Sequence, residues 1–98
     1  MQTYYLIQFL RQAASDPWIG TAHIAIYVAL FDLWLANEGR DPVSFTKETV
    51  MDAAKVRSRR TFYECMWTLR DHGYIRYLPS QNQVVENLVW MGEVGRDS

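Results

Sequence analysis

Residues 55–75, KVRSRRTFYECMWTLRDHGYI, decide the fold because they join a tight turn, a helix and the start of a strand. Ser58 is a favourable N-cap, and Gly73 can take the left-handed conformation that ends a helix. Between them the apolar residues recur at the i, i+3, i+4, i+7 spacing of one helix face: Phe62, Cys65, Met66 and Leu69. The stretch therefore predicts a core-facing helix over 58–72 that leads directly into a strand over 74–78.

The flanking sequence predicts three more helices and two more strands. Apolar periodicity, N-cap residues and turn residues place them as follows: helices over 3–14, 21 to about 38, and 47–54, a short strand over 43–45, and a strand over 84–91 after a turn at 79–82. The helix that starts at Thr21 is apolar nearly all round, so we expect it to be buried nearly all round, between the rest of the domain and either the first helix or another subunit.

The order of these elements predicts a mainly α (α+β) fold. Two helices joined by a tight turn and followed at once by a β-hairpin are typical of a winged helix-turn-helix, here with an extra N-terminal helix and a C-terminal hairpin as wing. A three-helix bundle with a separate hairpin is the alternative. We expect one domain over residues 1–91, with residues 1–16 as the added N-terminal element and 92–98 as a tail.

Composition narrows the function classes. The chain of 98 residues has a single cysteine, Cys65, so an internal disulfide is impossible and a reducing compartment is expected. We see no secretory leader, and the most apolar stretch, 24–35, is too short to span a bilayer. We therefore expect a cytoplasmic protein with no membrane partner.

An enzymatic role is not predicted. His23, His72 and Cys65 do not form a zinc set or a catalytic triad by spacing, and the five glycines form no phosphate-binding loop. We interpret His23 as a half-buried polar residue near a helix N-terminus, and Cys65 as an inert core thiol. No metal, cofactor or small-molecule ligand is predicted.

The charge distribution favours nucleic acid. Residues 47–76 carry seven Lys or Arg against four Asp or Glu, although the whole chain has a net charge of −1. On the 58–72 helix, Arg59 and Arg60 lie near the N-terminal end, from which recognition helices reach base edges most easily. The predicted DNA-binding residues are Lys55, Arg57, Ser58, Arg59, Arg60, Thr61, Tyr63, Arg70 and Arg76.

Two features near these residues, Trp67 and the tip of the wing, are not counted among the predicted DNA-binding residues. Trp67 shares the side of Arg59 and Tyr63, but we favour packing under the wing or in a dimer contact over contact with a base. The wing tip, residues 80–83, is polar and carries no Lys or Arg, so we expect it to contribute little to binding.

A homodimer is predicted because the first two helices carry more apolar surface than one small core can cover. The predicted dimer interface consists of Tyr4, Tyr5, Ile7, Phe9, Trp18, Tyr27 and Trp34.

Three motifs carry a resemblance over about residues 20–82: HI-x-x-Y-x-ALF-x-LW at 23–34, K-x-x-S-x-x-T at 55–61, and GYI-x-Y-x-PS-x-N at 73–82. In these the chain resembles small winged helix-turn-helix proteins of Bacteroidetes, many on mobile elements and described as transcriptional regulators. It is more distantly similar to the N-terminal domains of DnaD-like primosome and phage replication-initiation proteins, in which an added N-terminal element supports self-association. The resemblance implies DNA binding and a dimer.

The sequence thus predicts a sequence-specific double-stranded DNA-binding protein, acting as a transcriptional regulator, with the 58–72 helix in the major groove and the 74–91 hairpin as wing. The alternative is a winged-helix module for protein interaction or replication-initiation assembly that does not itself read DNA sequence.

Overall fold

The computed structural model describes residues 3–80 and 86–92. Within these residues the chain forms four helices and one three-stranded antiparallel sheet, so the mixed α+β class with more helix than strand is confirmed. In chain order the elements are α1 (Thr3–Ala14), α2 (Thr21–Ala36), β1 (Val43–Phe45), α3 (Lys47–Ala54), α4 (Arg59–Asp71), β2 (Arg76–Leu78) and β3 (Asn87–Trp90).

Helix α2 occupies the centre of the core. Its Ile26 and Leu30 are fully buried, and α3 and α4 pack against it. Within one copy of the chain α2 is left open along one side, where Val28 and Leu35 are 43% and 38% exposed, so burial of this side by another subunit stays a prediction. Since these residues are seven apart, they lie on one stripe of the helix, which faces away from α3 and α4.

Helix α1 covers another side of α2 through aromatic contacts. The rings of Phe9 and Tyr27 stack at 3.6 Å between centroids, and Tyr5 meets Trp34 edge to face at 5.4 Å. Phe9, Tyr27 and Trp34 are consequently buried within one copy of the chain. Their assignment to a dimer interface is wrong, since these rings face each other across the α1–α2 contact and a second copy cannot reach them.

The turn between α3 and α4 is held by capping interactions. Ser58 Oγ accepts a hydrogen bond from the Thr61 N–H at 3.2 Å, as expected of an N-cap. Lys55 ends α3 in the left-handed conformation (φ 62°), and the Val56 N–H donates to the Met51 carbonyl at 2.9 Å. These contacts fix the direction in which α4 leaves the turn.

The sheet has the strand order β1–β3–β2, with both neighbouring pairs antiparallel. Val89 of β3 stands opposite Val43 of β1 and Tyr77 of β2, and these three side chains face the core. Because side chains alternate along a strand, Arg76 and Leu78 lie on the opposite, outer face.

Both hairpin strands are shorter than predicted. β2 begins at Arg76 rather than residue 74, because the Tyr74 N–H donates to the Leu69 carbonyl at 2.9 Å and so completes the end of α4. β3 covers 87–90, so residues 86 and 91 of the predicted strand over 84–91 lie outside it. Residues 81–85 lie outside the described residues, and with them half of the predicted turn at 79–82, most of the wing tip and the first two residues of the predicted 84–91 strand. Residues 93–98 of the predicted tail lie outside them as well.

Asn87 connects the two hairpin strands. Its buried side-chain carbonyl accepts hydrogen bonds from the Tyr77 hydroxyl at 3.1 Å and from the Ser80 N–H at 2.9 Å. At the far end of β3, the Asp41 carboxylate accepts from the Met91 N–H at 2.7 Å and from the Gly92 N–H at 3.0 Å. The hairpin is thus tied to the α2–β1 connection as well as to β1.

The α1–α2 loop is tied to the end of α4 by Asp16. Its carboxylate accepts hydrogen bonds from the Trp18 N–H at 3.0 Å and the Tyr74 hydroxyl at 2.8 Å, and lies 3.0 Å from His72 Nδ1. These hydrogen bonds hold the pKa of Asp16 below its ordinary value, the bond from the Trp18 backbone contributing most.

Two features are absent from the described residues. No helix there combines the length and apolar content needed to cross a bilayer. Within residues 3–80 and 86–92, no three His, Cys, Asp or Glu side chains come together as a metal site would require.

Candidate nucleic-acid interface

The apolar stripe of α4 faces the core as predicted. Phe62, Met66 and Leu69 are fully buried and Cys65 nearly so. Burial, with a smaller contribution from the neighbouring Glu64, raises the pKa of the Cys65 thiol. Cys65 is therefore a packed thiol in its protonated form, which leaves the other sides of α4 for function.

A cationic cluster lies at the N-terminal end of α4. It consists of the exposed residues Lys55, Arg57, Arg59 and Arg60. The turn carries the first two and the first turn of α4 carries the others, so a run of six sequence positions is presented on one end of the helix. Four of the nine predicted DNA-binding residues therefore lie together in this cluster, and all four carry a positive charge.

A surface hollow of about 520 Å³ lies between α3 and this cationic cluster. Lys55, Arg57 and Arg59 line it, together with the acidic Glu48 and Asp52 of α3. The pKa of Glu48 lies below its ordinary value, chiefly because Lys47 Nζ donates a hydrogen bond to it at 2.8 Å, with a smaller effect of Arg59. The hollow is therefore mixed in charge, with its carboxylates on α3 and its cations in the turn and at the start of α4.

The side of α4 that carries Trp67 and Arg70 packs against the hairpin. The Trp67 ring lies 5.2 Å from that of Tyr77 in β2, and the Arg70 guanidinium lies 4.4 Å above the Trp67 ring. Burial raises the pKa of Tyr77 to about 12, with a smaller contribution from Tyr63. The favoured interpretation of Trp67, packing against the hairpin, is confirmed by this contact.

Two arginines of α4 form hydrogen-bonded ion pairs with acidic residues of the same helix. Arg60 Nε donates to Glu64 Oε2 at 3.0 Å, one turn along the helix. Arg70 donates through both Nε (3.0 Å) and Nη2 (2.8 Å) to Asp71 Oδ1. We did not predict these contacts, although the i, i+4 spacing of Arg60 and Glu64 is visible in the sequence.

Thr61 lies apart from the cationic cluster. It is half-buried on the side of α4 that faces the start of α2, where a largely apolar hollow of about 530 Å³ is lined by Trp18, Ala22 and His23 among others. His23 Nδ1 accepts a hydrogen bond from the Gly20 N–H at 3.0 Å, which confirms its interpretation as a half-buried polar residue near a helix N-terminus.

Arg76 also lies apart from the cationic cluster. Its guanidinium sits 5.0 Å above the Trp90 ring on the outer face of the sheet, whereas the inner face of β2 meets α4 through Tyr77. Any contact that Arg76 makes with DNA is therefore a contact of the hairpin, separate from those of α4.

Comparison of the chain with protein-family models, with curated proteins and with solved structures found no match.

Proposed function

We propose that this domain is a winged helix-turn-helix that binds double-stranded DNA in a sequence-specific manner and acts as a transcriptional regulator. In this proposal α4 enters the major groove and the β2–β3 hairpin is the wing. The observation that carries the proposal is the cationic cluster: four exposed Lys and Arg residues at the N-terminal end of a helix that directly follows a tight turn.

The architecture supports this assignment. α3 and α4 are joined by four residues, 55–58, and α4 is followed by the antiparallel pair β2–β3. The strand order β1–β3–β2 places the short strand before α3 beside β3 of the hairpin, and the same sheet contacts α4 through β2. The buried stripe of α4 fixes the rotation of the helix about its own axis, so the cationic cluster faces solvent.

The contacts that these residues can make with DNA depend on their positions. Arg59 and Arg60, in the first turn of α4, are placed to reach base edges, where an arginine can bond a guanine through two parallel N–H groups. Lys55 and Arg57, in the turn, are placed for phosphate contacts, which position a protein on DNA without reading sequence. Tyr63 can add a hydroxyl contact from the same face.

The test is the binding of a labelled duplex of mixed sequence, followed by fluorescence anisotropy at several salt concentrations. With two phosphate contacts, from Lys55 and Arg57, log K should fall with log salt at a slope of roughly −2. Arg57→Ala should reduce that slope by about 1, and Arg59→Ala or Arg60→Ala should cost about 1–3 kcal/mol on the preferred sequence. Arg40→Ala, which removes an exposed charge from the α2–β1 connection, is the matched control and should change neither quantity. Salt-insensitive binding, or no effect of Arg59 and Arg60, contradicts the proposal.

The second candidate function is a winged-helix module for protein interaction or replication-initiation assembly that does not read DNA sequence. Two observations favour it: Trp18 is 71% exposed beside the apolar hollow, and Glu64 and Asp71 place negative charge on the exposed side of α4. The binding experiment separates the two candidates, because only the first predicts a salt slope that depends on the arginines.

We also propose a homodimer through the outer faces of α1 and α2. Large apolar side chains lie exposed on both helices: Tyr4, Ile7 and Leu10 on α1, and Val28 and Leu35 on α2. Tyr4, Ile7 and Leu10 recur every three residues, so they form a stripe on the side of α1 that faces away from Phe9 and its contact with α2. This corrected surface replaces the predicted one, of which only Tyr4, Ile7 and Trp18 are exposed.

Charge complementarity favours a second copy as the occupant of this surface. Arg11 follows Ile7 by four residues on the α1 stripe, and Asp32 follows Val28 by four on the α2 stripe. In a two-fold dimer each pair forms twice, so Arg11 of each copy can meet Asp32 of the other. Sedimentation velocity at micromolar concentration should show a dimer that Arg11→Asp weakens and Arg11→Asp with Asp32→Arg restores. A monomeric wild-type chain, or no restoration in the double variant, contradicts the dimer.

A further inference from the structure

The arginines on α4 differ in how much of each guanidinium is already engaged. Arg70 uses Nε and Nη2 on Asp71, and its plane lies over the Trp67 ring. Arg60 bonds Glu64 through Nε alone, and in the described part of the chain its two Nη groups make no hydrogen bond. The Arg60 side chain is 86% exposed, against 45% for Arg70. Arg60 therefore keeps an open pair of donors in the first turn of α4.

We propose that Glu64 is a positioning residue that orients Arg60 to read one guanine, which makes the Arg60–Glu64 pair a sequence-specificity determinant. This inference rests on the proposed function. A guanidinium is planar, so a carboxylate that accepts from Nε fixes the plane and leaves Nη1 and Nη2 side by side at the far end. Those two N–H groups match the O6 and N7 acceptors of guanine in the major groove.

The position of the pair on α4 fits this role. Glu64 lies one turn after Arg60 on the exposed side of the helix and is itself 63% exposed, so the carboxylate supports the arginine from the α4 surface. Arg60 stands in the first turn, where recognition helices approach the bases. At this position a carboxylate repels phosphate, so a purely electrostatic role for Glu64 predicts that its removal strengthens binding to every sequence alike, whereas a positioning role predicts that its removal also weakens the preference for the guanine.

The experiment compares Glu64→Gln with Asp71→Asn, which removes the same charge from the same helix seven residues further on. Each protein selects from a library of randomised duplexes, and affinities are then measured for the selected duplex and for one with the guanine replaced. Both substitutions remove a negative charge near phosphate, so both should strengthen binding to mixed-sequence DNA. Only Glu64→Gln should reduce the preference for the guanine, by roughly threefold or more, and Arg60→Ala should remove it, a loss of about tenfold or more.

The outcomes separate this inference from the proposed function. If the wild-type chain selects no sequence, both are overturned. If it selects a sequence whose guanine preference is lost in Arg60→Ala but kept in Glu64→Gln, the positioning role alone is overturned. A loss of preference that is equal in Glu64→Gln and Asp71→Asn overturns it as well, because the effect then follows charge rather than contact with Arg60. Circular dichroism of each variant checks that α4 is retained.

Discussion

Replacing Trp67 by alanine should destabilise the fold by about 3 kcal/mol. A tryptophan buries on the order of 200 Å², and Trp67 is half-buried, so about 100 Å² at ~25 cal/mol per Å² gives roughly 2.5 kcal/mol. Loss of the ring pair with Tyr77 at 5.2 Å adds about 1 kcal/mol, and loss of the Arg70 contact at 4.4 Å adds about 0.5 kcal/mol. The sum, about 4 kcal/mol, is an upper bound, because the unfolded chain already buries part of this surface; allowing about a quarter for that burial gives the expected loss of about 3 kcal/mol.

The assay is urea unfolding followed by circular dichroism. Thermal unfolding gives a second measurement: for a chain of 98 residues, a loss of 3 kcal/mol corresponds to a fall in Tm of roughly 12–24 °C. Trp90→Ala is the matched control, since Trp90 is also half-buried beneath an arginine but has no ring partner in the described residues. It should cost about 1 kcal/mol less than Trp67→Ala. A cost of Trp67→Ala below about 1 kcal/mol, or one no larger than that of Trp90→Ala, refutes the view that Trp67 joins α4 to the hairpin.

Three further predictions concern polar contacts that hold the fold together. Burial lowers the pKa of His23, so the folded state binds its proton less well than the unfolded chain; stability should fall as pH drops below about 6.5, and His23→Asn should flatten that part of a urea-midpoint profile. The pKa of Asp16 is also lowered, so its contribution is present above about pH 3.8 and is lost as pH falls through the folded value; Asp16→Asn should remove this acid-side decline. Asn87→Ala leaves the Tyr77 hydroxyl and one backbone N–H without their acceptor and should cost about 2 kcal/mol in urea unfolding.

The elements with local signals were predictable from sequence. β1 and α3 have the predicted bounds, because Thr46 caps the helix and the apolar spacing gives its inner face. The strand ends were not predictable in the same way. Tyr74 has the composition of a strand residue, yet its N–H completes the end of α4 and its hydroxyl bonds Asp16, a contact across 58 residues that leaves no local pattern.

The surfaces were harder to predict than the elements. A helix that is apolar all round, such as α2, does not reveal which side its neighbours cover, so Tyr27 and Trp34 could not be distinguished from Val28 and Leu35 by spacing alone. The cationic cluster was predictable because a turn and an N-cap fix its position. The engagement of Arg70 by Asp71 was not, because adjacent residues on a helix do not ordinarily face each other.

The charge balance around α4 links the proposed DNA contact to the proposed dimer. The cationic cluster is accompanied by four carboxylates on α3 and α4, and the chain carries a net charge of −1, so attraction to DNA is confined to the cluster; at physiological ionic strength, salt screens it beyond about one Debye length of ~8 Å. One copy with about two phosphate contacts should bind in the non-specific range of roughly 10⁻⁴–10⁻⁶ M. Two copies joined through α1 and α2 make the second contact intramolecular and should raise affinity by about 10²–10⁴-fold without any new contact. Arg11→Asp should therefore weaken DNA binding by about that factor, and Asp32→Arg should restore it, although neither residue belongs to α4. If the Arg11→Asp chain is monomeric and binds the selected duplex as tightly as the wild type, the cationic cluster suffices by itself and the link between dimer and DNA binding is wrong.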